Sequence, residues 1–295
     1  MVFKKRTRPI PADAPLKPAP FSVLKCFDRN ARLYGLTGAE KLSNSHVMVV
    51  GLGGVGSYAA EALARSGVGQ LTLIDFDDVC ITNVNRQLHA LPSTVGQGKS
   101  ALMAVRVKAI APTCRVEAIH AFYEASNSAG ILARKPDVIV DAIDNVTAKL
   151  HLLATCIYRE IPVVTCLGAS AKVDPTRVRY TELRKTHDDP LARAIRKHIW
   201  RHYEVNLKRV SGLMAIYSDE DIILPNPDYR SSLCGSECVC PNSSNQHHTC
   251  AERNIIYGSA VFVTSMFGMT AASLVVRYLA GHDAISLKPV LKTLP

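Results

Sequence analysis

The feature that most constrains the fold of this chain is a short apolar run that leads into a glycine-rich turn. Residues 47–50 read VMVV, as expected of a strand that is buried on both faces. The turn GLGGVG follows at 51–56, and then a helix-forming segment from Ser57 to Arg65. Residues 71–74, LTLI, predict a second strand that ends at Asp75. Strand, glycine turn, helix, strand and acid in this order predict a parallel β-α-β unit.

The glycines of this turn meet the requirements of a nucleotide phosphate. Gly51, Gly53 and Gly56 satisfy the dinucleotide-binding fingerprint, and Asp75 lies nineteen residues after Gly56. Glycine lets the backbone turn tightly and lets a phosphate approach, while the next helix directs its first amides and positive dipole end at the anion. An acid after the second strand can accept hydrogen bonds from ribose hydroxyls. Alone, this pattern also fits a nicotinamide or flavin enzyme.

The residues that follow Asp75 favour a triphosphate instead. Residues 82–87, TNVNRQ, supply two asparagines, Arg86 and a glutamine, and Lys99 begins the next predicted helix. The glycine turn alone holds the pyrophosphate of NAD, so a hydride-transfer site does not need these cations. A triphosphate that loses pyrophosphate does need them, because Arg86 and Lys99 can offset charge on the phosphorus and the leaving group. Asp144 can hold the accompanying magnesium ion.

The rest of the pattern predicts one large α/β domain with a mainly parallel, Rossmann-like sheet and helices on both faces. We expect a basic, proline-rich, mobile arm at 1–26, the folded domain at 27–283 with a loop excursion at 219–254, and a tail at 284–295. Further predicted strands are Val116–Ile119, Val138–Val140 and Val163–Cys166, and further helices are 28–44, Lys99–Ile110, Ala148–Arg159 and 184–204.

One segment raises the question of a membrane. Residues 255–276 carry no charged side chain over 22 positions, which is long enough to cross a bilayer. They also contain six hydroxyl-bearing side chains, which a central helix of a large α/β protein accommodates more easily. We therefore predict a buried helix and no membrane association.

The charge balance favours a polyanionic partner. The chain has 35 Lys and Arg against 25 Asp and Glu, a formal net charge of +10. Ten of the Lys, Arg and His residues between 184 and 209 predict contact with nucleic-acid phosphates, although a solvated helix face gives the same pattern. They are Arg184, Lys185, Arg193, Arg196, Lys197, His198, Arg201, His202, Lys208 and Arg209.

Four of the nine cysteines cluster in the predicted loop excursion, together with His247 and His248. Structural zinc is one interpretation, but the spacing C-x3-C-x-C-x9-C lacks the paired C-x2-C of common zinc sites. Incidental thiols, or one thiol that accepts sulfur, are the alternatives. The clustered residues are Cys234, Cys238, Cys240 and Cys250.

The cysteine count also bears on location. An odd number of cysteines in a chain of this length does not resemble a secreted disulfide framework. The residues near the N-terminus also lack the apolar segment that a secretory signal would have. We therefore expect a reducing compartment. The cytoplasm is the first choice, and a mitochondrial location, to which the basic arm would direct the chain, is the alternative.

The combined motifs resemble the ubiquitin-activating-enzyme superfamily, which includes the adenylyltransferases that activate sulfur-carrier proteins. The resemblance rests on GLGGVGS, DFDDV, TNVNRQ, a lysine and DAIDN across residues 47–146. It implies a homodimer in which an arginine before the first strand, Arg29 with Arg32 as the rival, reaches the nucleotide of the partner. The ATP contacts that it implies are Gly51, Gly53, Gly54, Gly56, Asp75, Asp77, Thr82, Asn83, Arg86, Lys99, Asp144 and Asn145.

Several further motifs resemble one branch of that superfamily, the tRNA threonylcarbamoyladenosine dehydratases, over residues 27 to 280. They are Ala31–Gly35, Asn85–Ala90, Asp174–Arg177, Lys185–Ala192, Ser218–Glu220, Phe267–Gly268 and Ala271–Ser273. The resemblance implies ATP-dependent ring closure of the threonylcarbamoyl side chain of a modified adenosine in tRNA. A sulfur-relay protein is a further implied partner.

The chemistry of that reaction agrees with the residues. A carboxylate must first be activated, and its attack on the α-phosphorus of ATP forms an acyl-adenylate and releases pyrophosphate. The neighbouring carbamoyl group then closes the ring and expels AMP, so no enzyme nucleophile is needed and positioning supplies much of the rate. Two alternatives remain: an adenylyltransferase for the C-terminus of a ubiquitin-like or sulfur-carrier protein, and a non-catalytic, nucleotide-gated RNA-binding protein.

Overall fold

Nine strands form two sheets in the computed structural model, which describes residues 23–226 and 257–292. The strands are β1 His46–Val50, β2 Gln70–Ile74, β3 Arg115–Ile119, β4 Val138–Asp141, β5 Val163–Cys166, β6 Val178–Glu182, β7 Val210–Ser211, β8 Met214–Ser218 and β9 Val290–Leu291. The main sheet has seven strands in the order β3-β2-β1-β4-β5-β8-β6, and β7 pairs with β9 in a small second sheet. All neighbours in the main sheet are parallel except β6, which runs antiparallel to β8.

Helices cover both faces of the main sheet. They are α1 Val23–Cys26, α2 Asp28–Asn44, α3 Gly56–Arg65, α4 Lys99–Ile110, α5 Ala125–Leu132, α6 Val146–Tyr158, α7 Pro190–Tyr203 and α8 Val261–Ala280. This architecture confirms the predicted mainly parallel Rossmann-like sheet. The parallel strands place the segments that follow β1, β2 and β4 at one edge of the sheet, where nucleotides bind in such folds.

The apolar run of β1 is explained by two separate hydrophobic cores. All five residues of β1 are buried. Val47 and Val49 face the core built from α3, α4 and α8, whereas Met48 and Val50 face the core built from α6 and α7. Alternate side chains of a strand point to opposite faces, so a strand covered on both sides is apolar throughout.

Helix α8 is the apolar segment that raised the question of a membrane. Its length and composition suffice for a membrane span, yet half of its residues are buried in the protein. Gly268 explains how closely α8 approaches α3, because a Cβ atom there would lie 2.3 Å from the carbonyl oxygen of Val55. The prediction of a buried core helix therefore agrees with the packing of α8.

The structure differs from the sequence prediction in two places. The sequence predicts a tail from residue 284, whereas Leu287 is fully buried in the core and β9 pairs with β7, so the domain continues to at least residue 292. The sequence also predicts one helix over 184–204. The structure instead has a short 3-10 turn at Leu183–Lys185, a left-handed Asp188 with φ of 54°, and a helix that begins only at Pro190.

Candidate nucleotide and active site

The glycine turn between β1 and α3 is sterically closed to larger side chains at its two ends. Gly51 has a φ of +88°, and a Cβ atom there would lie 2.6 Å from the carbonyl oxygen of Ala142. A Cβ atom on Gly56 would lie only 1.8 Å from the carbonyl oxygen of Gly51. Both positions therefore require glycine because the turn folds back on itself against the β4 side of the sheet.

In the middle of the turn, Gly53 faces open space whereas Gly54 lies close to neighbouring side chains. A Cβ atom on Gly53 would meet nothing closer than the Gln87 side chain at 3.9 Å, and one on Gly54 would contact Thr264 and Arg86 at 3.2–3.3 Å. No side chain caps the N-terminus of α3. The amide of Ser57 donates to the carbonyl oxygen of Gly53 at 3.2 Å, and no side-chain cap competes with an anion at this helix start.

Asp75 lies at the end of β2 and joins the glycine turn to the next loop. Its carboxylate accepts hydrogen bonds from the amides of Leu52 at 2.6 Å and Asp77 at 2.8 Å. Burial raises the pKa of Asp75 above its usual value, and the nearby Lys99 opposes that effect. The two amide bonds fix the orientation of the carboxylate, which leaves its remaining lone pairs for ribose hydroxyls.

Lys99 is held at the N-terminus of α4 by a second acid. Its Nζ atom lies 2.7 Å from Oδ2 of Asp77, and its amide donates to the carbonyl oxygen of Asp77 at 3.0 Å. The lysine side chain is 6% exposed, compared with 35% for Asp77. The structure thus links Asp75, Asp77 and Lys99 into one hydrogen-bonded row beside the glycine turn.

The segment after Asp77 presents the other predicted contacts. Ile81–Asn83 forms a 3-10 turn, in which buried Asn83 accepts from the amide of Cys80 at 3.1 Å and Thr82 is exposed. The guanidinium group of Arg86 donates to the carbonyl oxygen of Thr82 and to Oδ1 of Asn85, both at 2.9 Å. The Cγ atom of Arg86 lies 3.3 Å from the position of a Cβ atom on Gly54, so the arginine side chain passes beside the glycine turn.

Asp144 and Asn145 follow β4 at the same edge of the sheet. Asn145 caps α6 by accepting from the amide of Ala148 at 3.0 Å, so its amide group is committed to the helix start. Asp144 is exposed, and no described lysine or arginine forms an ion pair with it. An unneutralised carboxylate at this edge fits the hard oxygen ligands that Mg²⁺ prefers.

A buried ion pair beneath this loop was not predicted from the sequence. Lys149 and Asp141 are both fully buried, and Lys149 Nζ lies 2.6 Å from Oδ2 of Asp141. Thr165 donates to the same carboxylate oxygen at 2.7 Å, and the amide of Ile143 donates to the other oxygen at 3.1 Å. The network therefore ties the loop that carries Asp144 to β5 and α6.

Two further polar side chains near the site were not assigned a role by the motifs. Gln87 and His89 are buried, and within the described chain the Oε1 atom of Gln87 and both ring nitrogens of His89 have no hydrogen-bond partner. Burial lowers the pKa of His89 to about 4. A neutral imidazole at physiological pH is the result. The motif TNVNRQ contains Gln87, but only the fold shows that it approaches Gly53.

Two sets of predicted residues are not brought to this site within one chain. Arg29 is exposed on α2, and its neighbour Asn30 donates to the carbonyl oxygen of Arg65, at the end of α3 opposite the glycine turn. The rival Arg32 forms an ion pair with Asp28 at 2.8 Å. The predicted zinc ligands Cys234, Cys238, Cys240 and Cys250 lie outside the described residues.

Within residues 23–226 and 257–292, no group of three or more metal-ligating side chains occurs. This finding does not bear on Mg²⁺, which is commonly held by one or two carboxylates together with substrate phosphates. The geometry can bind a nucleoside triphosphate and offset the charge of a pyrophosphate leaving group.

Comparison with known proteins shows which family this chain belongs to and which proteins it is similar to. The model of the ThiF family matches residues 27–294. The tRNA threonylcarbamoyladenosine dehydratase of Escherichia coli is 40% identical over 249 residues, which cover 84% of this chain and 90% of that protein. The enzyme of the same name from Bacillus subtilis is 45% identical over 228 residues, covering 76% and 88%.

A solved structure extends the similarity to three dimensions. The crystal structure of the Escherichia coli dehydratase in complex with ATP superimposes with a TM-score of 0.74 at 36% identity, covering 88% of this chain and 95% of that one. The similarity thus includes both the fold and nearly the full length of a protein whose structure holds ATP.

Proposed function

The chain belongs to the ThiF family, and from that premise we propose that it uses ATP to cyclise N6-threonylcarbamoyladenosine in tRNA with loss of water. The observation that carries the proposal is the meeting of the glycine turn, Asp75, Arg86 and Lys99 at one edge of the sheet, in a chain that is 40% identical to such a dehydratase over most of its length.

The reaction proceeds in two steps. The carboxylate of the threonylcarbamoyl group attacks the α-phosphorus of ATP, so that a carbon-bound oxygen becomes bonded to phosphorus and pyrophosphate leaves. The carbamoyl group of the same side chain then attacks the activated carbonyl carbon, gives up a proton, and expels AMP. Because nucleophile and electrophile belong to one substrate, correct orientation replaces an enzyme nucleophile.

The residues of the site have distinct roles in the first step. The carboxylate of Asp75 holds the ribose, and the amides at the start of α3 hold phosphate oxygens. Arg86 and Lys99 offset the negative charge that develops as the bond to pyrophosphate breaks. Arg86 approaches from the Gly54 side of the turn and Lys99 from the Asp77 side, so the two cations flank the phosphates.

Asp144 would hold a magnesium ion, which supplies positive charge to the triphosphate. Its exposed and unpaired carboxylate supports this assignment, and the buried Lys149–Asp141 pair fixes the loop on which it lies. Asn145, which was predicted as an ATP contact, already caps α6 and acts mainly by shaping the loop.

A homodimer is part of the proposal. Helix α8 exposes Phe262, Met266 and Met269 at the i, i+4 and i+7 positions of one face, with exposed fractions of 41–50%. A helix face of this kind is normally covered by another protein surface. Since Arg29 lies at the far end of α3 from its own glycine turn, it would act on the nucleotide of the partner. A Met266→Lys variant should lower the mass measured by light scattering from that of a dimer to that of a monomer.

The described cysteines bear on the cellular location. The five described cysteines are unpaired, which agrees with a reducing, cytoplasmic location, with the mitochondrion as the alternative. No described residue bears on the sulfur-relay partner.

For the Cys234–Cys250 cluster, about one zinc per chain in metal analysis would support a structural site. Absence of zinc, with full activity of Cys238→Ser, would favour incidental thiols.

The deciding experiment is mass spectrometry of tRNA nucleosides after incubation with ATP and Mg²⁺. The proposal expects the modified adenosine to lose the mass of one water while AMP and pyrophosphate appear in equal amounts. Pyrophosphate exchange that depends on a small carrier protein, and not on tRNA, would instead identify an adenylyltransferase. If no ATP is turned over, the alternative of a non-catalytic, nucleotide-gated RNA-binding protein would be favoured.

A further inference from the structure

Helix α7 carries a row of unneutralised cations on its exposed face. Arg193, Lys197 and Arg201 are spaced four residues apart and are all exposed, so they lie about 6 Å from one another along the helix axis. None of them forms an ion pair with a carboxylate within the described parts of the chain. The opposite face, with Ala192, Ile195 and Ile199, is buried.

Four of the other basic residues of this region are occupied within the protein. Arg184 and Lys185 both pair with Glu182. Arg196 donates to the hydroxyl and carbonyl oxygens of Thr186, and Arg209 donates to the carbonyl oxygen of Lys292. The structure thus divides the ten basic residues that the sequence groups together, and it leaves three of them in an uninterrupted row.

An exposed tryptophan lies on the same face. Trp200, the single tryptophan of the chain, is 56% exposed, and it follows Lys197 by three positions, so both point to the same side of the helix. A large aromatic ring beside a row of cations is the combination with which proteins hold single-stranded nucleic acid, because the cations contact phosphates and the ring stacks on a base.

The row begins at the edge of the sheet where the nucleotide site lies. Asp189, which caps α7, also accepts from the amide of Gly168, two residues beyond β5. At the other end, the hydroxyl of Tyr158 in α6 donates to the carbonyl oxygen of Tyr203 in α7. The two helices therefore run side by side from the site edge, and the row from Arg193 to Arg201 extends about 12 Å away from it.

We propose that this face of α7, with Arg193, Lys197, Trp200 and Arg201, is the surface on which the tRNA backbone lies, with Trp200 stacked on an unpaired base near the modified adenosine. The inference rests on the proposed function, since tRNA is the polyanion that must reach the site. The modified adenosine would enter at the site edge while the neighbouring nucleotides follow α7.

A salt titration tests the phosphate contacts. Each lost contact should make the slope of the logarithm of the tRNA association constant against that of salt concentration less steep by about one. The double variant Lys197→Gln, Arg201→Gln should lose about two from the slope and bind tRNA roughly tenfold more weakly near physiological salt. The rate at saturating tRNA and the ATP affinity should stay at their parent values.

The matched control is Lys108→Gln, Arg115→Gln, which also removes one lysine and one arginine. Both residues are exposed, at the end of α4 and the start of β3, at the sheet edge opposite the site. This control should retain the parent slope and affinity. Equal losses of tRNA affinity in the two double variants would show that only the net charge of the protein matters. That result would overturn the proposal.

Fluorescence tests the stacking directly, because the emission of the one tryptophan reports on Trp200 alone. We expect tRNA to quench it, and Trp200→Ala to bind tRNA several-fold more weakly at unchanged ATP affinity. Unchanged emission on saturation with tRNA would show that Trp200 does not stack. If the parent protein cyclises tRNA and the α7 variants do so with unchanged KM for tRNA, this inference fails while the proposed function stands. If the parent protein fails to cyclise tRNA, the proposed function itself fails.

Discussion

The ammonium group of Lys99 lies 2.7 Å from Oδ2 of Asp77, within a row that continues through the Asp77 amide to Asp75. The cation proposed to act on the triphosphate is therefore already oriented before the nucleotide binds. The same carboxylate that orients Lys99 also lowers the positive charge available to ATP. Binding and positioning thus make opposite demands on Asp77.

An Asp77→Asn variant should separate these two demands. The amide removes a negative charge near the phosphates, so the KM for ATP should stay the same or fall. Lys99 loses its charged partner and its fixed position, so kcat should fall by about tenfold or more. Steady-state AMP formation at several ATP concentrations measures both. A raised KM with parent kcat would contradict the positioning role.

Removal of either cation should stop adenylation. Arg86→Ala and Lys99→Ala should each slow AMP formation by on the order of a hundredfold or more, because each removes a group that offsets charge in the transition state. Thermal unfolding should accompany the assay, since Lys99 is buried and its loss removes the ion pair with Asp77. Folded variants with near-parent turnover would exclude the proposed roles.

An Asp144→Asn variant should change the requirement for Mg²⁺ more than it changes ATP binding. The amide retains the shape of the side chain but loses the charge that a hard cation prefers. The Mg²⁺ concentration that gives half-maximal turnover should therefore rise by about tenfold or more. An unchanged Mg²⁺ titration curve would assign Asp144 to a structural role.

The buried pair of Lys149 and Asp141 should be costly to break. Lys149→Met leaves an unpaired carboxylate with no exposure, so the free energy of unfolding should fall by about 3–5 kcal/mol in urea denaturation. Replacing Asp141 by Asn in the same chain should restore part of that loss. As the control, Lys288→Met breaks an exposed pair with Glu160 and should change the free energy of unfolding far less.

His89 should make the protein less stable as the pH falls. The unfolded histidine takes up a proton near pH 6.5, whereas the folded one does so only near pH 4, because it is buried. Its contribution to stability is therefore complete above pH 6.5 and is lost as the pH falls toward 4. Between pH 7 and pH 5, the parent should lose about 2 kcal/mol more than His89→Phe. Parallel pH curves for the two proteins would contradict this assignment.

The strand pattern was largely predictable from the sequence, and the exceptions have physical reasons. Strands β1 to β5 begin and end within one residue of the predicted positions, since four of them (β1, β2, β4 and β5) are buried along all or nearly all of their length. Strand β6 was not predicted from the sequence because it is an edge strand whose residues are all partly or fully exposed. Its partner β8 reads MAIYS, a run too short to distinguish from a helix segment.

The site residues could be predicted where a sequence motif indicates their chemistry. They could not be predicted where only tertiary packing determines their position. The glycine turn, Asp75 and Lys99 follow from spacing alone. Asp141 and Lys149 do not, because a charged residue on each side of a loop usually indicates a solvated surface, and only the fold shows that both are fully buried. In α7, the start at Pro190 after a capping Asp189 was a readable signal that the basic pattern obscured.

The close approach of Gly268 to Val55 has a consequence for synthesis of the protein on the ribosome. The glycine turn and α3 are made early, but α8, against which α3 packs, emerges more than two hundred residues later. Until then, the side of α3 that packs against α8 has no cover. A nascent chain that lacks α8 should therefore need a chaperone to shield that side of α3 until most of the chain has been translated.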